Sequence, residues 1–552
     1  MNAALLAAVR AWVAHDPDEH DRATLLELLE RDDETELTRR FAAPLRFGTA
    51  GLRGPVMAGP AGMNRLSVRR VTQGVVRWLE EIGVDPARGV VVGRDARHGS
   101  ETFNDEVVTV LLGARVRVIE MPGPLPTPLV AYAVQALGAA AGIMVTASHN
   151  PPADNGYKLY AADGAQIIAP HDEIVERYAG AATTPVLATR ESALHGYVDD
   201  SVLDAYQCHF ARRFAVDPEE ALAITYTPLH GVGGRTMMDL FERSGHRAVT
   251  IVRQQFEPDP AFPTLALPNP EEPGALNLAM ASAERVGASL VLANDPDADR
   301  LGAAVRAADG WHVLRGDEIG WLLASALLPE MRDDADVVAT TIVSSTLLEV
   351  LAREAGVRCA TTLTGFKWIA RAAGNGVLRF GYEEALGFAV DPLVADKDGL
   401  SAALALAKLA VDLAREGKTL LDRLDDIEAR HGVHAVAQLS RRAEGEGGLA
   451  RIAEALCVLR ADPPTSLGGI DVVEVVDLAN GFRGLAPTEG VWLSLGSTGR
   501  VVVRPSGTEA KLKAYVEVVR ASAGRETLHA ERAAAHEVIE DIAGDLDRRL
   551  RL

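Results

Sequence analysis

A chain of 552 residues exceeds what one hydrophobic core supports, so several domains are expected. The 48% hydrophobic and 24% charged content is that of a globular protein, and a formal net charge of −21 argues against nucleic acid or an anionic membrane as main partner. An anionic small-molecule ligand then requires a local basic cluster inside an acidic protein.

In chain order, the opening MNAALLAAVRAWVAHDPDEHD is apolar, lacks a basic start and soon turns acidic. It reads as a first amphipathic helix and not a signal peptide. Short apolar runs follow at 89–93 (GVVVG), 142–146 (GIMVT), 223–227 (AITYT), 289–293 (SLVLA) and 336–342 (DVVATTI). Such runs read as strands buried on both faces. Helical patterns at 235–244 and 346–355, each followed by Gly, lie between them, so the class is α/β with mixed or parallel sheets. The stretch 401–414 is broken by Lys408 and Asp412 and is too short and charged to span a bilayer, so a cytoplasmic location is expected. The polar segment 441–448 (RRAEGEGG) suggests a linker or exposed loop. Beyond it, strands at 490–495, 500–504 and 511–519 and a long helix over 526–552 predict a separate α+β domain. Cys208, Cys359 and Cys457 are far apart, in no metal or redox spacing, and read as reduced packing residues.

Four segments carry chemistry. Thr146-Ala147-Ser148-His149-Asn150-Pro151-Pro152 ends an apolar strand, which lifts Ser148 into the crevice where α/β ligands bind. Alone, Ser-His-Asn-Pro reads as a turn, and the glycines of a hydrolase nucleophile elbow are absent. Lys158 follows a tight turn and can return toward Ser148. Asn294-Asp295-Pro296-Asp297-Ala298-Asp299-Arg300 sets three carboxylates at alternate positions for one hard cation. A calcium loop of EF-hand type would need Gly where Arg300 stands and Glu where Arg306 stands, so Mg²⁺ with a phosphate oxygen fits better. Gly381-Tyr382-Glu383-Glu384-Ala385-Leu386-Gly387-Phe388, followed by Asp396-Lys397-Asp398-Gly399, offers carboxylates to sugar hydroxyls. Arg504-Pro505-Ser506-Gly507-Thr508-Glu509 forms an anion cradle from a guanidinium, hydroxyls and backbone N–H groups. A Gly-rich turn, Gly231-Val232-Gly233-Gly234, matches no nucleotide fingerprint and reads as a turn and helix start.

In this order, and with Phe47-Gly48-Thr49-Ala50-Gly51-Leu52-Arg53-Gly54 near the start, the four segments resemble the α-D-phosphohexomutase superfamily, the phosphoglucomutases and phosphomannomutases. The resemblance implies a four-domain fold, three related α/β domains with mixed sheets and a C-terminal α+β domain. Its expected divisions are 1–208 with a phosphoserine loop, 209–315 with a metal loop, 316–438 with a sugar-binding loop and 439–552 with a phosphate-binding loop. It implies that Ser148 carries the phosphoryl group and that Asp295, Asp297 and Asp299 bind Mg²⁺ together with the phosphoserine. Arg300 matches a contact to the active-site phosphate. Lys158 and Arg53 match positions of proton transfer and charge stabilisation, with His149 as second choice for the base or as an orienting group. Glu383 matches the sugar-binding glutamate, Lys397 a substrate contact, and Arg504, Ser506, Gly507 and Thr508 the clamp on the non-reacting phosphate. Lys367 would join Arg53, Lys158, Arg300, Lys397 and Arg504 in the basic cluster.

The implied activity is intramolecular phosphotransfer, an isomerase reaction interconverting sugar 1-phosphate and 6-phosphate through a bisphosphate intermediate. Glucose phosphates come first and mannose phosphates second, with glucose 1,6-bisphosphate as activator. Many hexose mutases have Glu-x-Ser in the sugar loop, and here Ala385 stands in the third place. The Glu-Glu-Ala-Leu-Gly form, with Gly365-Phe366-Lys367-Trp368 before it, resembles the branch of bacterial α-phosphoglucomutases, phosphopentomutases and glucose-1,6-bisphosphate synthases. A pentomutase or a bisphosphate synthase is therefore the alternative, and a non-catalytic phosphosugar sensor the remote one. The expected partner is a small phosphosugar, without nucleic acid or membrane, on a monomer or homodimer.

Overall fold

A strand that is apolar along its whole length needs cover on both faces. Ala141–Val145, Leu290–Asn294 and Asp336–Thr341 are buried at every residue. The computed structural model describes residues 2–182, 184–220, 222–443, 447–506 and 511–550. The chain forms two compact units, Met1–Leu314 with Leu386–Val411, and Arg315–Ala385 with Asp412–Leu552.

The first unit holds two mixed sheets. One comprises β1 (Leu52–Pro55), β2 (Val90–Arg94), β3 (Val118–Pro124), β4 (Ala141–Val145), β5 (Asp154–Ala161) and β6 (His195–Tyr197), in the order β1-β5-β4-β2-β3-β6. β2 runs parallel to β3 and β4, whereas β5 is antiparallel to both β4 and β1. Helices Arg65–Glu81 and Ser100–Gly113 close a core that includes Val75, Trp78, Val90, Val107, Ile143 and Leu159. The other sheet comprises β7 (Ile224–Thr227), β8 (Val249–Ile251), β9 (Leu290–Asn294), β10 (Leu301–Ala307) and β11 (Gly310–Leu314), ordered β11-β10-β9-β7-β8. β7 is parallel to β8 and β9, and β10 is antiparallel to its neighbours. In both sheets the parallel strands end beside an antiparallel return, which gathers loop residues at one edge.

The first helix expected at the N-terminus is Ala3–His15, and two more follow it, Glu19–Glu30 and Glu34–Arg40. Asp18 and Asp33 accept backbone N–H bonds as caps and break the pattern. Val9, Trp12, Leu25 and Leu37 form a small core there with Ala58 and Leu66.

The second unit begins with the helix Gly316–Leu327, and its first strand, β12 (Asp336–Thr341), pairs in parallel with β13 (Arg358–Thr362) and β14 (Val377–Glu383). The chain then contributes Leu386–Val411, including β15 (Gly387–Ala389), to the first unit. Back in the second, β16 (Val433–Arg442) precedes a two-stranded ladder of β17 (Ser466–Leu467) and β18 (Ile470–Asp471). β19 (Glu474–Asp477), β20 (Val491–Ser494), β21 (Gly499–Pro505) and β22 (Lys511–Arg520) complete an antiparallel sheet ordered β16-β22-β21-β20-β19. Helix Leu528–Leu550 packs on this sheet through Leu528, Ala535, Ile539, Ile542 and Leu546. It starts after a 3₁₀ turn at Arg525–Thr527, two residues later than the sequence suggests.

The suggested linker at 441–448 splits differently: Arg441 and Arg442 end β16, Gly448 opens helix Gly448–Ala461, and residues 444–446 lie outside the described residues. All three cysteines are free thiols. Among the described residues no helix is long and apolar enough to cross a membrane.

Candidate active site

The loop after β4 is built around Ser148. Its φ of +53° places it in the left-handed region, which non-glycine residues rarely adopt. Thr146 supports the bend: its Oγ1 accepts the Ser148 N–H at 2.9 Å and donates to Asp95 Oδ2 at 2.6 Å. Asp95 Oδ1 in turn accepts from Ser100 Oγ and from the Arg97 N–H. The buried guanidinium of Arg97 donates to four carbonyls of the loop, those of Ser148 and Asn150 at 2.6 Å, Pro151 at 2.9 Å and Asp154 at 3.3 Å. A single planar fork thus fixes the backbone on both sides of the turn.

The loop after β9 faces it. Asn294 Nδ2 donates to the Arg300 carbonyl at 2.7 Å, and Asp295 Oδ1 accepts the Arg300 N–H at 3.0 Å, closing the loop on itself. Ala298, at φ +56°, makes the turn. Asp295, Asp297 and Asp299 are fully buried, and a carboxylate oxygen from each lies within 4.8 Å of the others. Ser148 Oγ donates to Asp295 Oδ2 at 2.7 Å, so the serine and the carboxylate cluster form one site. Oδ1 of Asp297 and Oδ1 of Asp299 are buried and, among the described residues, accept no hydrogen bond. Buried carboxylate oxygens without donors are costly unless a cation takes that place, so the donor set suits a hard, oxygen-seeking metal ion.

Cations surround the cluster. β5 carries Lys158 opposite Met144 of β4, and its Nζ reaches Asp297 Oδ2 at 2.6 Å and Asp299 Oδ2 at 2.5 Å. Lys397 Nζ lies 2.9 Å from Asp299 Oδ2. Its neighbours pin it in place: Asp396 accepts from Gln166 at 2.8 Å, and Asp398 from the Tyr206 hydroxyl at 2.7 Å. β1 brings Arg53, whose guanidinium donates to Asn150 Oδ1 at 3.1 Å. Arg300 sits 3.5 Å from Glu271.

Asp297 and Asp299 respond in opposite senses. Burial first, and then the charges of Asp299 and Asp295, raise Asp297 above the usual carboxylate range. Burial also acts on Asp299, but the Lys158, Lys397 and Arg300 cations outweigh it and hold that carboxyl far below the range. His149 Nδ1 is 3.1 Å from Ser148 Oγ. Burial, then Arg300 and Arg53, keep the ring well below its ordinary pKa, so it is neutral near pH 7.

Ser148, His149, Lys158, Arg53, Asp295, Asp297, Asp299, Arg300 and Lys397 thus all belong to the first unit. Lys367, Glu383, Arg504 and Ser506 belong to the second. Lys367 lies in the short helix Phe366–Ile369, and buried Glu383 ends β14. Arg504 is on β21 with its Nε buried, and the Ser506 N–H donates to the Lys511 carbonyl at 2.8 Å. Gly507 and Thr508 lie outside the described residues. The sequence reading passed over Asp95, Arg97 and Thr127, whose Oγ1 donates to Asp297 Oδ2 at 2.5 Å. The signal for the first two was present: Gly93-Arg94-Asp95-Ala96-Arg97 directly follows an apolar strand, as the other site loops do.

The chain matches four successive domains of one family: phosphoglucomutase/phosphomannomutase α/β/α domain I over residues 44–185, domain II over 204–310, domain III over 315–430 and the C-terminal domain over 473–534. A phosphopentomutase of Mus musculus is 34% identical across 94% of this chain and 91% of its own length. The chain belongs to the phosphoglucomutase/phosphomannomutase family. The chain is also 37% identical to a probable phosphomannomutase of Haemophilus influenzae, over 83% of this chain and 93% of the relative. A phosphoglucomutase of Staphylococcus aureus is 32% identical over 89% and 92%. A solved family protein from Burkholderia thailandensis gives a TM-score of 0.70 at 20% identity, covering 91% of this chain and 97% of that one, and so shares the fold. The chain is accordingly an enzyme of the isomerase class, with α/β domains of mixed sheet and a C-terminal domain rich in antiparallel strands.

Proposed function

We propose that the enzyme interconverts α-D-glucose 1-phosphate and glucose 6-phosphate through a phosphorylated Ser148 and a glucose 1,6-bisphosphate intermediate. The observation that carries this reading is the 2.7 Å bond from Ser148 Oγ to Asp295, inside a carboxylate cluster with two unpartnered oxygens. Asp295, Asp297, Asp299 and the phosphoserine would hold Mg²⁺. When bound, Mg²⁺ withdraws charge from the phosphoryl oxygens and from the serine oxygen as it leaves.

The chain's own groups do the rest. The sugar hydroxyl attacks phosphorus while the bond from phosphorus to Ser148 Oγ breaks, and the hydroxyl proton passes to a base. Lys158 is the base named by the resemblance, yet its Nζ donates to two carboxylates. His149 Nδ1, 3.1 Å from Ser148 Oγ, is placed to carry the proton to and from that oxygen. Arg53 and Arg300 neutralise charge on the transferring group, and Arg97 holds the loop still. The bisphosphate then turns over, and its other phosphate returns to Ser148 with the same bonds broken and made in reverse. Glu383 and Lys397 would bind the sugar, and Arg504 with Ser506, Gly507 and Thr508 the phosphate that is not reacting.

Pentose 1- and 5-phosphates are the second reading, favoured by Ala385 in the sugar loop and by the phosphopentomutase relative. The test is kcat/KM for glucose, mannose and ribose 1-phosphates with catalytic glucose 1,6-bisphosphate present. Glucose should lead. A preference for ribose 1-phosphate moves the enzyme to the second reading, and turnover of none of the three overturns the mutase assignment.

A further inference from the structure

The turn Gly231-Val232-Gly233-Gly234 has no part in the chemistry above, and its environment gives it one. β7 ends at Thr227, whose Oγ1 accepts the Leu229 N–H at 3.1 Å and donates to Gln255 at 2.8 Å. Leu229 and His230 then take φ values of +47° and +62°, two consecutive left-handed residues. His230 is tied by its N–H to the Gln255 carbonyl and by its ring to Thr264. This held bend drives the next residues against the back of the carboxylate loop. The Val232 N–H donates to the Pro296 carbonyl at 2.8 Å. A Cβ on Gly231 would stand 2.3 Å from Pro296 Cα and 2.4 Å from its oxygen, and one on Gly233 2.8 Å from Ala298 Cβ. Neither glycine has a positive φ, so space and not backbone conformation requires them. Tyr226, the residue before Thr227, completes the contact by donating to Asn294 Oδ1 at 2.9 Å.

Pro296 lies between Asp295 and Asp297, and Ala298 between Asp297 and Asp299. We infer that Gly231 and Gly233 are positioning residues that set the spacing of the three aspartates by backing the two residues interleaved with them. A methyl group at either glycine must push Pro296 or Ala298 outward, because the opposing atoms are backbone or a rigid Cβ. The carboxylates then lose the geometry that a small ion with strict octahedral demands requires. The inference rests on the assignment of a divalent metal to this cluster.

The experiment is Mn²⁺ binding by electron paramagnetic resonance, with Mg²⁺ competition, on purified full-length protein, beside a thermal melt in EDTA. Gly231→Ala and Gly233→Ala should each weaken Mn²⁺ binding by about ten- to hundred-fold, the range that support of metal ligands commands elsewhere. Gly180→Ala, where a Cβ meets nothing within 4 Å, should leave binding and activity unchanged. In the Gly233→Ala protein, Ala298→Gly removes the opposing Cβ and tolerates the positive φ, so the double variant should regain most of the lost affinity. Folded Gly231→Ala with wild-type affinity, or a Gly233→Ala loss that Ala298→Gly does not relieve, overturns the inference. If Gly231→Ala does not fold, the Gly233→Ala and Ala298→Gly pair decides alone. Wild-type protein that binds neither ion refutes the metal assignment itself, a separate failure.

Discussion

Ser148 sits in a left-handed conformation that costs a non-glycine residue roughly 1 kcal/mol or more. The Thr146 hydroxyl and the Arg97 fork offset this strain, and the result is a side chain aimed at Asp295. Ser148→Gly and Ser148→Ala should both abolish turnover. Glycine also relieves the strain, so the glycine variant should melt above the alanine one; equal or reversed melting temperatures would show that no strain is stored there. The residue types of the site were legible in the sequence: a serine and three alternate aspartates after apolar strands. What they touch was not, because Lys158 reaches residues 139 and 141 positions away. Gly231 was likewise legible only as a turn, since the need for a missing Cβ depends on Pro296, a neighbour in space.

At the scale of elements, the continuous apolar runs became buried strands within one or two residues of their predicted ends, for periodicity and burial agree there. At the N-terminus the expected first helix is present as Ala3–His15, and the acidic caps Asp18 and Asp33 start the two helices that follow it. The loop joining β4 to β5 has little regular hydrogen bonding of its own, and Arg97 supplies it through four carbonyls. Lysine keeps the charge but loses the fork. Arg97→Lys should therefore lower kcat by about a hundredfold, the order of loss expected when a reacting group is misplaced by about 1 Å. Its circular dichroism spectrum should stay that of the wild type. Wild-type kcat in the lysine variant would leave Arg97 with a packing role only.

Across the whole molecule, two buried groups outside the carboxylate site shape stability against pH with opposite signs. Burial, with the Lys408 charge, lowers His246 from 6.5 to about 4, so the folded chain declines a proton that the unfolded chain takes. Stability from this group is intact above pH 6.5 and falls as the pH drops toward 4, by about 3 kcal/mol at about 1.4 kcal/mol per unit. Asp317 is raised to about 7 by burial and by the Glu384 and Glu517 charges, so the fold keeps its proton and loses stability as the pH rises from 3.8 to 7. His246→Phe should flatten the acid limb of a melting-temperature profile. Asp317→Asn, which retains the Oδ1 acceptor for the Tyr382 hydroxyl and the Ser345 N–H, should raise the melting temperature above pH 7 and leave it unchanged below pH 4. Unaltered profiles would contradict these directions. Net charge and length indicated several acidic domains, but not that Leu386–Val411 would join the first unit and carry Lys397 to Asp299.

The phosphoryl relay through Ser148 is tested most directly by isotope transfer. Enzyme labelled at Ser148 with glucose 1,6-[³²P]bisphosphate is chased with unlabelled glucose 1-phosphate, and the label is followed by phosphopeptide analysis and sugar chromatography. The label should leave Ser148 at the rate of steady-state turnover and appear first in the bisphosphate and then in glucose 6-phosphate. Label that stays on Ser148 while the sugar phosphates interconvert would contradict the relay.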